Sequence, residues 1–300
     1  MDNIGLFVIP IRINKSIDTY RLYLDVLESI EDYGYTHIYI GEHLTDPKED
    51  IQSSLIFASA LLARTKKIKV GLSVLALPHY NIKLLVKQLE DLYRLGEGRL
   101  LIGFGKGALS SDANYLGFDN NLRQGIFENK LKELFEEINK SNILSKIERE
   151  NYFSTILSPS SKGLEVLSSE GFSGISSNFC NSSIKEEHFN TFNRNKNITK
   201  NNKWHSIYNT LPHNVIDENP EIYNIVLETY NYIYEKLGHK NAKKIMTKEL
   251  LYEANKEDLD KKLFYNLTSN VDDVRNHILE MKNNINLGYP IINIFDCLDI

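Results

Sequence analysis

Three short stretches hold side chains that can do chemistry. Glu42-His43 closes the run Thr36 to Ile40 and sets a carboxylate beside an imidazole, the side chain whose ordinary pKa lies nearest neutrality. Such a histidine either moves protons for a bound reactant or ties down a strand end through hydrogen bonds. Gly105-Lys106-Gly107 puts a cation between two glycines at the end of the run Leu100 to Phe104. A phosphate approaching there would meet the ammonium and the turned backbone N–H groups together; the plain alternative is a solvated lysine. Ser158-Pro159-Ser160-Ser161 precedes a helical stretch from Lys162 to Ser169. Serines at that point act as N-caps or, through the same free N–H groups and helix dipole, hold an anion.

Residues so far apart need a framework to bring them together. Between Leu77 and Gly96, Leu84, Leu85, Leu89, Leu92 and Leu95 recur at helical spacing; Gly96 and Gly98 stop the helix, and Leu100 to Phe104 runs on as a buried strand. That is the βαβ grammar of a parallel sheet. The same alternation extends in both directions. Ile4 to Ile13 reads as a strand apolar on both faces, Ser16 to Tyr33 as an amphipathic helix, Thr36 to Ile40 as strand two and Ile51 to Arg64 as a helix eased by Ala58, Ala60 and Ala63. Ile68 to Leu77 is strand three, Arg123 to Ile138 a helix, and Ser154 to Leu157 strand five. Gly171 to Phe179, Trp204 to Leu211 and Pro290 to Phe295 supply strands six to eight. Helical stretches from Pro220 to Leu237, Ala242 to Lys262 and Val271 to Asn284 separate the last two, and a polar stretch, Asn181 to Lys203, separates six from seven.

Eight strands with intervening helices predict one α/β domain over residues 1–300, a (β/α)8 TIM-type barrel; no GxGxxG opens the first helix, as a doubly wound dinucleotide fold would want. In such a barrel the C-terminal strand ends converge on one face. His43 and Lys106 then share it.

Composition narrows the class of function. A chain of 300 residues with 42% apolar and 25% charged residues can bury a large core. Its net charge of −5 and the lack of a Lys/Arg run argue against nucleic acid. Apolar runs such as Leu55 to Ala63 are far short of a bilayer, and Asp2 stands where a signal peptide wants positive charge, so we expect a cytoplasmic protein with no membrane partner. Cys180 and Cys297 lie far apart without metal-knuckle spacing, so neither a metal site nor a disulfide framework is expected.

The order of several pieces is itself distinctive. Leu77-Pro78 ends the third strand, Leu89-Glu90-Asp91 lies in the next helix, Gly98-Arg99 and Gly105-Lys106-Gly107 bracket strand four, and Leu116-Gly117-Phe118-Asp119 follows. Together they resemble the bacterial luciferase-like flavin-dependent monooxygenases, across essentially the whole chain and most densely up to Phe179. Members carry Glu-His-His after strand two; Glu42 and His43 match, and Leu44 stands at the second histidine.

The resemblance implies that reduced FMN and O2 oxidise a small organic substrate, the FMN coming from a separate flavin reductase where one is needed. His43 would be the acid/base beside the reactive flavin edge, with a near-neutral pKa, and Glu42 would touch the cofactor. Ser73 and Val74 would carry a non-prolyl cis peptide beneath the flavin ring. Gly105, Lys106, Gly107, Ser158 and Ser161 would hold the phosphate, and Glu128 matches a family glutamate. A homodimer or heterodimer through helices of the first half is also implied. Two departures stand out: the passage from Glu128 to Ser158 is a shortened insertion after the fourth βα unit, and Ser269-Asn270-Val271 replaces the family's Gly-Thr-Pro. They keep two other readings open, a deazaflavin-dependent oxidoreductase and a non-catalytic flavin-binding or partner subunit.

Overall fold

The structure, a computed structural model, describes residues 5–8, 18–33, 35–46, 49, 51–156, 168, 171–176, 182–195, 204–208 and 287–293. Eight strands lie among them: β1 (Gly5–Val8), β2 (His37–Ile40), β3 (Lys69–Ala76), β4 (Leu100–Gly105), β5 (Tyr152–Ile156), β6 (Ser173–Ser176), β7 (Trp204–Tyr208) and β8 (Leu287–Asn293). Each pairs in parallel with the next, and β8 returns to β1, so the sheet closes on itself as a barrel. The helices are α1 (Asp18–Ser29), α2 (Ser54–Arg64), α3 (Ile82–Leu95), α4 (Ser110–Tyr115), α5 (Arg123–Lys140) and α6 (Ser182–Asn195). The expected helices at 162–169, 220–237, 242–262 and 271–284 lie outside the described residues, Ser168 apart, as do both cysteines.

The strands are apolar on both faces because each face has a core to meet. Phe7, Tyr39, Leu101, Phe153 and Ile175 form one buried cluster, the filling of the barrel, with Phe7 opposite Tyr39 across β1 and β2. Their neighbours one residue away, such as Leu6, Ile38, Ile40, Leu100 and Ile102, belong to the second cluster under the helices. Glycine is required inside the barrel at Gly103: a Cβ there would fall 2.3 Å from the Leu72 carbonyl oxygen and 2.4 Å from the Phe153 ring.

Several boundaries differ from the sequence expectation for identifiable reasons. Helix α2 begins at Ser54 rather than Ile51 because the Ser53 hydroxyl accepts from the Ile56 N–H and caps it. On α3 the core stripe runs through Ile82, Leu85, Val86, Leu89 and Leu92, whereas Leu84 and Leu95 face outward, 59% and 44% exposed. Strand β5 starts at Tyr152, two residues early, in register with Ile102, and β8 starts at Leu287 opposite Trp204.

The Gly98-Arg99 pair has a framework duty at the N-terminal end of the barrel. Gly98 takes φ +84°, open to glycine, and the Arg99 guanidinium donates to the Leu62 carbonyl at 2.8 Å, the Ile68 carbonyl at 3.1 Å and the Thr65 hydroxyl at 2.8 Å. Nearby, one Glu31 oxygen accepts from the N–H groups of Lys66, Lys67 and Ile68 at 2.9, 2.6 and 2.7 Å. Partial burial pushes that carboxyl up, but the three N–H donors and the Arg99 charge outweigh it and hold it below its ordinary range. A depressed folded pKa gives stability that is present above the unfolded value and lost as pH falls through the folded one. Glu31→Gln should therefore cost about 1 kcal/mol at pH 7, modest because the group is partly solvated, and nearly nothing in acid. Thermal melts of both proteins across the acid range check this; a constant difference at every pH would refute it.

Candidate active site

The C-terminal ends of β2, β3 and β4 bring the first group of site residues to one mouth. Beyond β2 the chain stays extended, with the Gly41 N–H donating to the Val8 carbonyl at 2.9 Å, and so delivers Glu42 and His43 to the rim. Both Glu42 oxygens are engaged: one accepts from the Tyr80 hydroxyl at 2.6 Å, the other from the Ser54 N–H at 2.7 Å. Burial pushes the Glu42 carboxyl up, against the pull of these donors and of His43, and burial beside that carboxylate pushes the Tyr80 phenol well above its ordinary range. The Tyr80 loop is fixed in turn by Lys130 of α5, whose ammonium donates to the carbonyls of Tyr80 at 2.6 Å and Pro78 at 3.0 Å. Glu42 is thus a brace joining β2, α2 and the loop after β3.

His43 is held by a single carboxylate. Glu49 takes the ring Nδ1 on one oxygen and accepts the His43 backbone N–H on the other at 3.0 Å. The His43 side chain is 20% exposed and the Glu49 side chain 5%, so the ring meets solvent while its partner does not. From the other side Asp112 of α4 accepts the N–H of Leu44 at 3.3 Å and both the N–H and hydroxyl of Thr45, at 2.9 and 2.6 Å. Burial draws the imidazole pKa down, but the Glu49 hydrogen bond and charge, with Asp112 and Asp46, outweigh it, and the net direction is up. Burial likewise pushes the Glu49 carboxyl up, opposed by the His43 contacts. Ligand atoms of His43, Asp46 and Glu49 lie within 4.8 Å of one another. Of these atoms, the His43 Nδ1 is hydrogen-bonded to Glu49.

The remaining rim comes from β3 and β4. The Ser73–Val74 peptide is cis, where the register of β3 on β4 shifts, and the Val74 side chain lies against Gly105: a Cβ on Gly105 would sit 2.7 Å from it. Gly107 has φ +81° and passes His79, whose Nε2 would be 3.4 Å from a Cβ there. Lys106 between them is exposed. Burial, with Lys130 and Arg123 nearby, holds the His79 ring below its ordinary pKa although Asp112 pulls it up, and its ring leans on Phe118 at 6.3 Å. Residues 6–132 match the family model described as luciferase-like monooxygenase. Over that span the chain is similar to that family.

Named monooxygenases are similar to part of the chain. Limonene 1,2-monooxygenase of Rhodococcus erythropolis is 35% identical over 96 residues, 32% of this chain and 25% of that protein. N-acetyl-S-alkylcysteine monooxygenase of Bacillus subtilis is 28% identical over 121 residues, 39% of this chain and 36% of that protein. The chain thus spans roughly a quarter to a third of the length of these relatives. Among solved structures, the oxygenating constituent of 3,6-diketocamphane monooxygenase of Pseudomonas putida, in complex with FMN, superposes with a TM-score of 0.66 at 17% identity, over 99% of this chain and 93% of that one. An F420-dependent secondary alcohol dehydrogenase in complex with an F420-acetone adduct gives 0.56 at 14% identity, over 98% and 93%. At such identities these two speak for the fold.

At this mouth, Glu42, His43, Ser73, Val74, Gly105, Lys106 and Gly107 lie on the ends of adjacent strands, while Ser158 and Ser161 lie outside the described residues. Glu128 is an exposed residue of α5 that accepts from Gln124 at 2.9 Å, and Asp119 caps a 3-10 turn by accepting from Asn121 at 2.8 Å. Sequence reasoning passed over Glu49, Tyr80, Asp112 and Lys130. Only Asp112 carried a signal, an acid in the first turn of a short helix, and that says nothing of a partner at Thr45.

Proposed function

We propose that this protein is a flavin-dependent monooxygenase that uses reduced FMN and O2 to oxidise a small organic substrate at the barrel mouth. One observation carries the reading: a partly exposed imidazole, fixed by a buried carboxylate just beyond β2, stands at the same rim as the cis peptide of β3 and the glycine-flanked Lys106 after β4. The residues present fit a flat ring with an anionic tail. Gly105 lets Val74 pack against the bare backbone, Gly107 turns the chain at positive φ, and Lys106 between them presents an exposed cation for the tail. Bound reduced flavin would supply the electrons that activate O2. Lys106, with Ser158 and Ser161, would bind its phosphate, and His43 would exchange a proton with the reacting partners. Glu42 would keep the rim in shape through Tyr80 and Ser54. Support comes from the family match and from the FMN complex of the Pseudomonas neighbour.

A deazaflavin-dependent oxidoreductase is the second reading, favoured by the F420-bound neighbour. Absorbance titration of the purified protein with FMN and with F420, then oxygen uptake with reduced FMN, separates them. Oxygen uptake that rises with a substrate supports the monooxygenase. Saturable binding of F420 alone, without oxygen uptake, would replace it. Failure to bind either would leave a non-catalytic subunit.

We further infer a single complete (β/α)8 domain and a dimer through α2 and α3, which turn Ile56, Leu84 and Leu95 to solvent. Ala58 is buried against the core and Ala60 half-buried, which leaves Ala63 as the small residue for close helix contact. Sedimentation at micromolar concentration should show a species twice the 34.6 kDa chain mass. A single 34.6 kDa species would refute it.

A further inference from the structure

We propose that Glu49 is a positioning residue that fixes the proton of His43 on Nδ1 and leaves Nε2 as the atom through which the ring exchanges protons. The inference deepens the reading in which His43 serves the reaction, and it rests on that reading for its catalytic meaning. Its structural content stands on geometry alone.

An ionised carboxylate can only accept hydrogen bonds, and a neutral imidazole has one N–H and one lone pair. The Glu49 oxygen in contact with Nδ1 therefore demands the N–H there, and Nε2 is left with the lone pair. The other Glu49 oxygen accepts the backbone N–H of the same residue at 3.0 Å, so both lone-pair faces of one acid are committed to one histidine. Glu49 is itself anchored, its N–H donating to the Asp46 carbonyl at 3.2 Å, and its 5% side-chain exposure shields the contact from water. A second carboxylate, Asp112, grips Leu44 and Thr45. The backbone after His43 thus has its own support, and the job left to Glu49 is orientation of the ring.

The charged and titratable groups facing the imidazole come from three elements. Glu42, Asp46 and Glu49 belong to the segment after β2, Asp112 to α4 and His79 to the turn after β3. Tyr80 meets Glu42 rather than the ring. Glu49 is the one acid among them in hydrogen-bond contact with Nδ1, so its removal separates its effect from the general field of the others.

The test is 15N NMR of the imidazole nitrogens in the unliganded protein, with His43 among the 8 histidines assigned by its disappearance in His43→Ala. In the wild type His43 should show the Nδ1–H tautomer and titrate above the ordinary histidine value. In Glu49→Gln, an isosteric change whose amide can either accept or donate, the titration should move down by about one pH unit and the tautomer preference should be lost. The pH profile of turnover should move in the same direction, with kcat falling more than KM for flavin rises. A wild-type ring carrying its proton on Nε2 overturns the proposal without any variant. So does an unchanged His43 titration in Glu49→Gln. If Glu49→Gln misfolds, Glu49→Asp, which withdraws the carboxylate by one methylene, should give a partial shift of the same sign. A titration that moves as expected while neither Glu49→Gln nor His43→Ala alters turnover would uphold the positioning and overturn the catalytic reading of His43 instead.

Discussion

Turnover is expected to fall by about 10²-fold or more in His43→Ala, with flavin affinity held within a few-fold, because a positioned acid/base group acts on the reaction rather than on ground-state binding. The effect should carry a pH signature. Glu49, Asp112 and Asp46 lift the ring above its ordinary value in spite of its burial. A rate that needs the protonated ring then stays high through pH 6.5 and declines only as pH rises through the raised folded value, and that limb should vanish in the variant. Stability gives a second readout. A raised folded pKa contributes stability fully present below the unfolded value and lost as pH rises through the folded one. The melting temperature of His43→Ala should therefore trail the wild type more at pH 5.5 than at pH 9. Stopped-flow and steady-state rates across pH, beside melting curves, decide the matter. A variant that loses stability but keeps its rate would make His43 a strand-end support and favour the non-catalytic reading.

The parts of this fold that could be read in the sequence are those whose burial repeats along the chain. Runs such as Leu100 to Phe104 are apolar at every position because Leu101 fills the barrel while Leu100, Ile102 and Phe104 face the helices, and no loop chemistry is needed to recognise them. The αβ alternation then placed His43 and Lys106 at the same end. What was hidden depends on contacts made only when the barrel closes. Tyr80 reaches Glu42 from 38 positions away and Asp112 reaches Thr45 from 67, and neither pairing leaves a periodic trace. Leu84 and Leu95, which share the helical spacing of the α3 leucines, face outward. Leucine spacing alone does not distinguish a core stripe from an adjacent outward face, and Ile82 and Val86 took the inner positions. Glu42 shows the opposite case, a residue legible from its motif whose two oxygens turn out to be spent on the frame.

Lys106→Ala should weaken FMN binding by about 1.5 to 3 kcal/mol, the usual worth of a charged hydrogen bond, which is roughly 10- to 150-fold in Kd. The lysine follows the end of β4 directly, flanked by Gly105 against Val74 and by Gly107 in the left-handed region, so the backbone on both sides is bare and closely packed. Its side chain is exposed, and among the described residues no ion pair holds it, which leaves the ammonium available to an incoming anion. A phosphate contact has two marks that a general loosening of the loop lacks. Riboflavin, which has the ring but no phosphate, should bind wild type and Lys106→Ala nearly equally. The FMN preference should also shrink as salt is raised, because an exposed pair is screened over about 8 Å at physiological ionic strength. Fluorescence titrations of both ligands at low and high salt give the answer directly. Equal losses for FMN and riboflavin would mean that Lys106 shapes the loop without meeting the phosphate, and the anion would then have to be held elsewhere on the rim.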